Sequence, residues 1–125
     1  MCTVSALNEI TSRVVQAAKD SLGDKLHKVI LYGSYARGDQ EDDSDIDILV
    51  LADIPMEETD EAGKDIRRRT RGIDMEHDVL LSLFVTSSVT FYRYLKVLPF
   101  YQNVQKDGVV LCACTGKNGP DKLPS

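Results

Sequence analysis

The chain has 125 residues and a formal net charge of -5, with 42% hydrophobic and 28% charged residues, a balance typical of one globular domain and not of a disordered or fibrous chain. The net acidic charge argues against direct nucleic-acid binding, because such binding needs a basic surface that displaces counterions from phosphates. Since no apolar run is long enough to cross a bilayer and no secretory signal pattern is present, we expect a cytoplasmic protein that does not bind a membrane.

The first elements of the chain are an amphipathic helix and a buried strand. Apolar residues recur at three- and four-residue steps over residues 4–22, the pattern of a helix with one face on a core. Gly23 ends this helix, and the short apolar segment 28–32 then predicts a buried strand. A second helix is expected to begin at Ser34 or Tyr35, directly after a Gly-Ser turn.

An acidic segment separates this turn from the next predicted strand, 46–51. Six acids lie between residues 39 and 47, and those before residue 45 are typical of a solvated loop. Asp45 and Asp47 instead alternate with Ile46 and Ile48 at the two-residue period of a strand, so both carboxylates project from one face. Carboxylates this close repel each other in a partly buried site unless a cation compensates them. Magnesium fits this role, since it binds oxygen ligands and leaves positions for a substrate phosphate.

The segment after the second strand predicts a helix with acids in its first turns and bases in its last turns. Asp53 and Pro55 are typical of a helix start, and the later charges suit the helix dipole. The basic residues are Arg67, Arg68, Arg69 and Arg71. They are interpreted as a solvated helix end, with a nucleic-acid patch as the alternative.

The last third of the chain predicts a strand over 79–85, a helix from Ser87 or Ser88 toward Leu98, and a short strand over 109–111. Five aromatic residues crowd the end of the helix: Phe91, Tyr92, Tyr94, Phe100 and Tyr101. Core packing explains some of them, and the rest are a candidate docking surface for a partner. We expect one domain over 1–111, a flexible tail over 112–125, and three reduced cysteines.

The Gly33-Ser34 turn lies where a strand gives way to a helix, a junction that offers backbone N–H groups to an anion. Glycine lets the backbone approach a phosphate closely, and the Ser34 hydroxyl adds a donor. Arg37, one turn along, can place a guanidinium on the same phosphates. A Gly-Ser turn is weak evidence alone, so its weight depends on its spacing from the paired aspartates.

Ten residues separate Ser34 from Asp45, and this Gly-Ser, ten-residue, Asp-x-Asp arrangement resembles the signature of the DNA polymerase beta-like nucleotidyltransferases. Segments 33–38 and 44–50 are similar to the minimal, stand-alone members of prokaryotes, and a weaker likeness continues through 98–101 and 105–108. The resemblance implies an α/β (α+β) nucleotidyltransferase fold, a small mixed β-sheet flanked by helices. It also implies that Gly33, Ser34 and Arg37 bind the phosphates of ATP, while Asp45 and Asp47 hold Mg2+ and are catalytic.

The resemblance further implies a third carboxylate on a later strand. Asp78, at the head of the predicted third strand, is the candidate that completes the catalytic metal site with Asp45 and Asp47. Leu80 continues the same strand face, where a carboxylate is also expected; if it occupies the catalytic position, the chain binds nucleotide without efficient transfer. Three further residues are alternatives for the third carboxylate or for acid-base catalysis: Asp74, Glu76 and His77.

Stand-alone members of this group often pair with a helical HEPN-type protein, commonly an RNase toxin, and the better-known ones neutralise it by attaching AMP to a tyrosine. The resemblance therefore implies an antitoxin that transfers AMP from ATP, with magnesium, to a protein acceptor. The alternative is a catalytically degenerate nucleotidyltransferase fold that neutralises or scaffolds a partner by contact. A third interpretation is an acidic globular domain with a fortuitous motif.

Overall fold

The structure, a computed structural model, describes residues 4–41 and 44–113. Strands and helices alternate along most of this length. In chain order the elements are α1 (Val4–Leu22), β1 (Leu26–Tyr32), α2 (Ser34–Arg37), β2 (Ile46–Ala52), α3 (Thr59–Arg69), α4 (Ile73–His77), β3 (Leu81–Ser87), α5 (Ser88–Arg93), α6 (Pro99–Asp107) and β4 (Val109–Ala113). None of the helices in this described part combines the length and the apolar character that a bilayer span requires.

The strands form one mixed sheet in the order β3-β2-β1-β4. β1 is antiparallel to both of its neighbours, β2 and β4. β2 and β3 are parallel, and their connection contains α3 and α4, as a parallel pair requires because its strands cannot be joined by a tight turn. The prediction of a small mixed sheet flanked by helices is confirmed.

The two faces of the sheet are covered by different helices because side chains alternate along each strand. Ile48 and Val50 of β2 pack in one hydrophobic cluster with residues of α1 and α3, such as Val14 and Ile66. The neighbouring residues of β2, Leu49 and Leu51, pack in a second cluster on the opposite face, together with Ile30 of β1 and with Phe91, Tyr101 and Val104 of α5 and α6.

The sheet face that carries the second cluster is fully buried at only one end of its strands. Ile30 and Leu49 are fully buried beneath α5 and α6. Asp47, two residues before Leu49, is half-buried, and so are its neighbours on the flanking strands, Tyr32 and Ser82. This half-covered end of the sheet contains the paired aspartates that the sequence singled out.

Several boundaries differ from those predicted. α5 ends at Arg93 instead of continuing to Leu98, and Pro99 begins α6 instead of stopping a helix, because the missing N–H of proline costs nothing at a first helical position. β4 continues to Ala113, two residues past the expected end of the domain. The rest of the expected tail lies outside the described residues. Cys112 is disulfide-bonded, so the expectation of three reduced cysteines is wrong.

β3 is an edge strand whose outer side is capped by side chains. Arg67 donates a hydrogen bond from Nη2 to the Leu83 carbonyl at 3.2 Å, and the Leu81 N–H donates to Oδ2 of Asp74 at 3.4 Å. The predicted arginine cluster is thus divided, since the next two arginines, Arg68 and Arg69, pair with Asp65 on α3. These three arginines pair within the fold, as expected for a solvated helix end.

Candidate active site

Asp47 occupies the middle of a row that crosses three strands. Its direct neighbour on β1 is Tyr32, and its direct neighbour on β3 is Ser82. Paired residues on adjacent strands share a face, so these three side chains stand side by side at the half-covered end of the sheet. Asp45 lies one step beyond, before β2 begins, and is also half-buried.

Gly33 brings the predicted phosphate turn directly against the Asp47 carboxylate. Its backbone has φ 79° and ψ -158°, a conformation that is essentially restricted to glycine. A Cβ added at Gly33 would overlap Oδ2 of Asp47 and would lie 3.2 Å from its Cγ. No other residue type therefore fits between β1 and the carboxylate, which gives a physical reason for glycine at this position.

α2 is a single helical turn that begins directly after Gly33. The Gly33 carbonyl accepts hydrogen bonds from the N–H groups of Ala36 and Arg37, both at 3.1 Å. Gly38 closes the turn in a left-handed conformation and donates to the Ser34 carbonyl at 2.9 Å. Ser34 is consequently the first helical residue and lies two positions along the chain from Tyr32, as the sequence predicted.

Negative charge is crowded at this row, where Asp47 lies close to Asp45 and to the Tyr32 phenol. Burial, and then the neighbouring Asp45 carboxylate, raise the pKa of Asp47, while the Arg37 guanidinium partly offsets this by lowering it. Burial, and then the Asp47 carboxylate, raise the pKa of the Tyr32 phenol to about 12. A cation at Asp45 and Asp47 would relieve this repulsion, and paired carboxylates are oxygen ligands of the kind that magnesium prefers. The donor set therefore fits Mg2+.

Arg37 faces the same site from α2. Its Nε donates to Oδ2 of Asp39 at 3.1 Å, and both side chains are largely exposed. Exposed pairs of this kind contribute little to stability, so the guanidinium can exchange Asp39 for a phosphate at small cost. The guanidinium charge also lowers the pKa of Asp47, so Arg37 acts on that carboxylate.

The structure does not place Asp78 on β3. That strand begins at Leu81, and Asp78 caps the end of α4 in a left-handed conformation with φ 54°. Leu80 lies beside Asp45, because its carbonyl accepts the N–H of the next residue, Ile46, at 2.9 Å. Sequence reasoning missed Ser82, the direct neighbour of Asp47, because only the register between β2 and β3 reveals it.

Within residues 4–41 and 44–113, the group whose ligand atoms all lie within 4.8 Å of one another is Glu9, Glu76 and His77, and not the three predicted aspartates. An arginine already compensates this group, since Arg13 lies 3.0 Å from Glu76 and 3.8 Å from Glu9. The hydrogen bond from Arg13 lowers the pKa of Glu76. Arg13 belongs to α1, on the sheet face opposite the Asp47 row, so Glu76 and His77 do not join that row.

The aromatic cluster of 91–101 divides between the core and the surface. Phe91 and Tyr101 are buried in the second hydrophobic cluster, as core packing requires. Tyr92 is half-buried at its margin. Tyr94 and Phe100 remain exposed, and these two are the cluster members available for contact with another molecule.

Comparison with known proteins connects this geometry to one family. A family model described as a nucleotidyltransferase domain matches residues 12–110. Two proteins of Methanocaldococcus jannaschii, both named provisionally as protein adenylyltransferases, are similar in sequence. One is 33% identical over 97 residues, which cover 78% of this chain and 89% of the relative. The other is 44% identical over 88 residues, which cover 70% and 81%.

Solved structures share the fold. Spectinomycin adenyltransferase AAD(9) from Enterococcus faecialis, crystallised with ATP and spectinomycin, has a TM-score of 0.66 at 14% identity, over 86% of this chain and 56% of its own. This chain thus spans about half the length of that enzyme. A mutant of the toxin-antitoxin MntA-HpeT has a TM-score of 0.56 at 22% identity, over 86% and 75%. At these identities the likeness establishes the fold alone.

Proposed function

The chain belongs to the nucleotidyltransferase domain family, and on this premise we propose that it transfers AMP from ATP, with magnesium, to a protein acceptor. The observation that carries the proposal is the contact between the Gly33 turn and the Asp47 carboxylate. It supports the proposal because a turn whose backbone N–H groups suit a phosphate lies against Asp47, one of two carboxylates that suit a cation. A magnesium-bound nucleotide needs both features close together.

Each residue then has a defined task. Gly33 and Ser34 bind the β- and γ-phosphates, and Arg37 contributes a guanidinium to the same phosphates. Asp45 and Asp47 would hold magnesium, which would supply charge stabilisation at the phosphate oxygens. The acceptor oxygen bonds to the α-phosphorus as the bond to pyrophosphate breaks, and most of the rate enhancement comes from positioning and charge neutralisation. Asp78 is the candidate third metal ligand and the candidate group that takes the acceptor proton.

The proposed acceptor is the partner of a toxin-antitoxin pair, a helical HEPN-type protein that this chain neutralises. The support is the resemblance to stand-alone members of the family and the shared fold with a solved toxin-antitoxin protein. Two exposed apolar side chains after α5 offer a contact surface for such a partner: Val97 and Leu98. The proposal assigns the reaction to the cytoplasm, where ATP is available.

Calorimetric titration with ATP, with and without magnesium, tests the proposed site. We expect magnesium-dependent binding to the natural protein and none to the Asp45→Asn/Asp47→Asn double variant. The matched control, Asp24→Asn/Asp60→Asn, removes the same charge from exposed positions and should bind as the natural protein does. Absence of binding to the natural protein would reject the nucleotide site.

A second candidate function is a binding module that neutralises its partner by contact alone. The observation that favours it is the composition of the segment beside the paired aspartates, where Leu80, Ser82 and Phe84 alternate and no carboxylate occurs among them. Leu80 is 57% exposed, so its apolar side chain packs against few neighbours. A chain that lacks the third carboxylate would bind nucleotide and transfer it poorly.

A rescue experiment tests whether position 78 or position 80 is the site of the third carboxylate. We expect Asp78→Asn to lower AMP transfer about a hundredfold, the effect of losing a general base, without loss of the fold, because asparagine tolerates the left-handed conformation. Leu80→Asp in that background should restore transfer, since position 80 lies beside Asp45. Leu80→Asn is the uncharged control.

AMP transfer by the natural protein distinguishes the adenylyltransferase from the binding module. If the natural protein transfers no AMP and Leu80→Asp alone creates transfer, the binding module is the correct function. If Asp78→Asn transfers AMP at the natural rate, Asp78 has no part in the site.

A further inference from the structure

Three aromatic rings form a continuous wall beside the Asp47 row. The ring centroids of Tyr32 and Phe100 are 5.4 Å apart, and those of Phe84 and Phe100 are 6.3 Å apart, with nearly perpendicular planes in both pairs. Tyr32, Phe84 and Phe100 come from β1, β3 and α6 respectively. We call these three residues the aromatic wall.

The wall is more exposed than core packing would leave it. Phe84 is 45% exposed and Phe100 is 42% exposed, while the core beneath α5 and α6 is filled by other side chains, including the fully buried Phe91. Large apolar surfaces that remain in solvent and adjoin a polar site are typical of ligand-binding surfaces. The exposed ring faces are therefore available to a ligand at the candidate active site.

The sheet register fixes the distance between Phe84 of the wall and Asp47, a candidate metal ligand. Phe84 follows Ser82 by two residues and so shares its face, and Ser82 is the direct neighbour of Asp47. One strand spacing of about 4.8 Å and two residues of about 3.3 Å each separate Asp47 from Phe84, so their Cα atoms lie roughly 8 Å apart. A ribose bridges a comparable gap between the α-phosphate and the base of a nucleotide.

We infer that the aromatic wall binds the base of the nucleotide, an inference that rests on the proposed function. A base tethered to a phosphate at Asp45 and Asp47 cannot extend back past Gly33, because the β- and γ-phosphates occupy that side. It extends instead toward β3 and α6, where Phe84 and Phe100 present their rings. Bases stack on aromatic side chains with substantial affinity and without regard to hydrogen-bonding pattern.

The test compares ATP with a ligand that shares its three phosphates and lacks the adenosine. Calorimetric titrations with ATP and with inorganic tripolyphosphate, both in magnesium, are made on the natural protein and on Phe84→Leu and Phe100→Leu. Leucine retains an apolar side chain and removes only the planar ring. The matched control is Tyr94→Leu, which removes a ring of similar exposure, 43%, outside the wall. Two wall variants keep the test valid if one of them folds poorly.

We expect each wall variant to bind ATP roughly tenfold more weakly, the effect of losing one stacking partner, and to bind tripolyphosphate as the natural protein does. Tyr94→Leu should leave both affinities unchanged. Unchanged ATP affinity in both wall variants would overturn the inference, and so would a parallel loss of tripolyphosphate affinity. Unchanged ATP affinity with slower transfer to the acceptor would assign the wall to the acceptor instead. Failure of the natural protein to bind ATP would reject the proposed function itself.

Discussion

Asp47→Asn is expected to reduce AMP transfer to the partner protein at least a thousandfold while leaving the complex with that partner intact. The loss is large because the variant keeps the shape of the side chain and removes the charge that would hold the cation, which would supply charge stabilisation to the reacting phosphate. The measurement is incorporation of label from α-labelled ATP into the purified partner, together with a pull-down of the complex.

The same variant should lose activity without losing stability. Since burial and Asp45 raise the pKa of Asp47 above its ordinary value, the ionised carboxylate disfavours the folded state at neutral pH, and the neutral amide removes this penalty. We therefore expect an unchanged or higher melting temperature. Glu41→Gln, an exposed change in the same acidic segment, is the control with natural activity. A variant that labels its partner at the natural rate would remove Asp47 from the mechanism.

Gly33→Ala should abolish measurable ATP binding and also destabilise the fold. The alanine Cβ would overlap the Asp47 carboxylate, so the turn or the carboxylate must move away from the position that unites them. The backbone conformation adds about 1–3 kcal/mol of strain for a residue other than glycine. Calorimetry with magnesium and ATP gives the first effect, and urea unfolding gives the second.

Gly72→Ala is the control that separates backbone strain from the overlap with the Asp47 carboxylate. Gly72 also has a positive φ, 98°, but a Cβ there would meet open space. It lies between α3 and α4, whose Ile66 and Ile73 pack on the sheet face opposite the Asp47 row. This variant should be destabilised by about 1 kcal/mol and should bind ATP normally. If Gly33→Ala also binds ATP normally, the close approach of the turn to Asp47 has no functional role.

Periodicity in the sequence was sufficient for the elements that have one continuous pattern. The 4–22 helix, the second strand and the common face of Asp45 and Asp47 all follow from local spacing, and the structure has α1 and β2 where these patterns place them. The start of the third strand could not be predicted from the sequence, because Val79 and Leu80 are as apolar as the strand that follows them. That shift of two residues removed Asp78 from β3.

Two further features depend on tertiary structure and had no local signal. The contact between Gly33 and Asp47 requires the register of β1 against β2, which adjacent residues do not encode. The aromatic wall joins two strands and a helix that are distant along the chain. Segment 91–101 predicted an aromatic cluster, but only the packing of α6 shows that Phe100 turns toward β3 while its neighbour Tyr101 enters the core.

The capped outer side of β3 limits how other chains can meet this edge of the sheet. An exposed strand edge is a template for growth of the sheet by a strand from another molecule. Here Arg67 and Asp74 already satisfy the carbonyl of Leu83 and the N–H of Leu81, so an incoming strand would first have to displace a cation and an anion. Sheet-to-sheet polymerisation through β3 is thereby discouraged at high protein concentration. A partner that meets this edge must instead be recognised through side chains, so that its release breaks no hydrogen bonds between paired backbones.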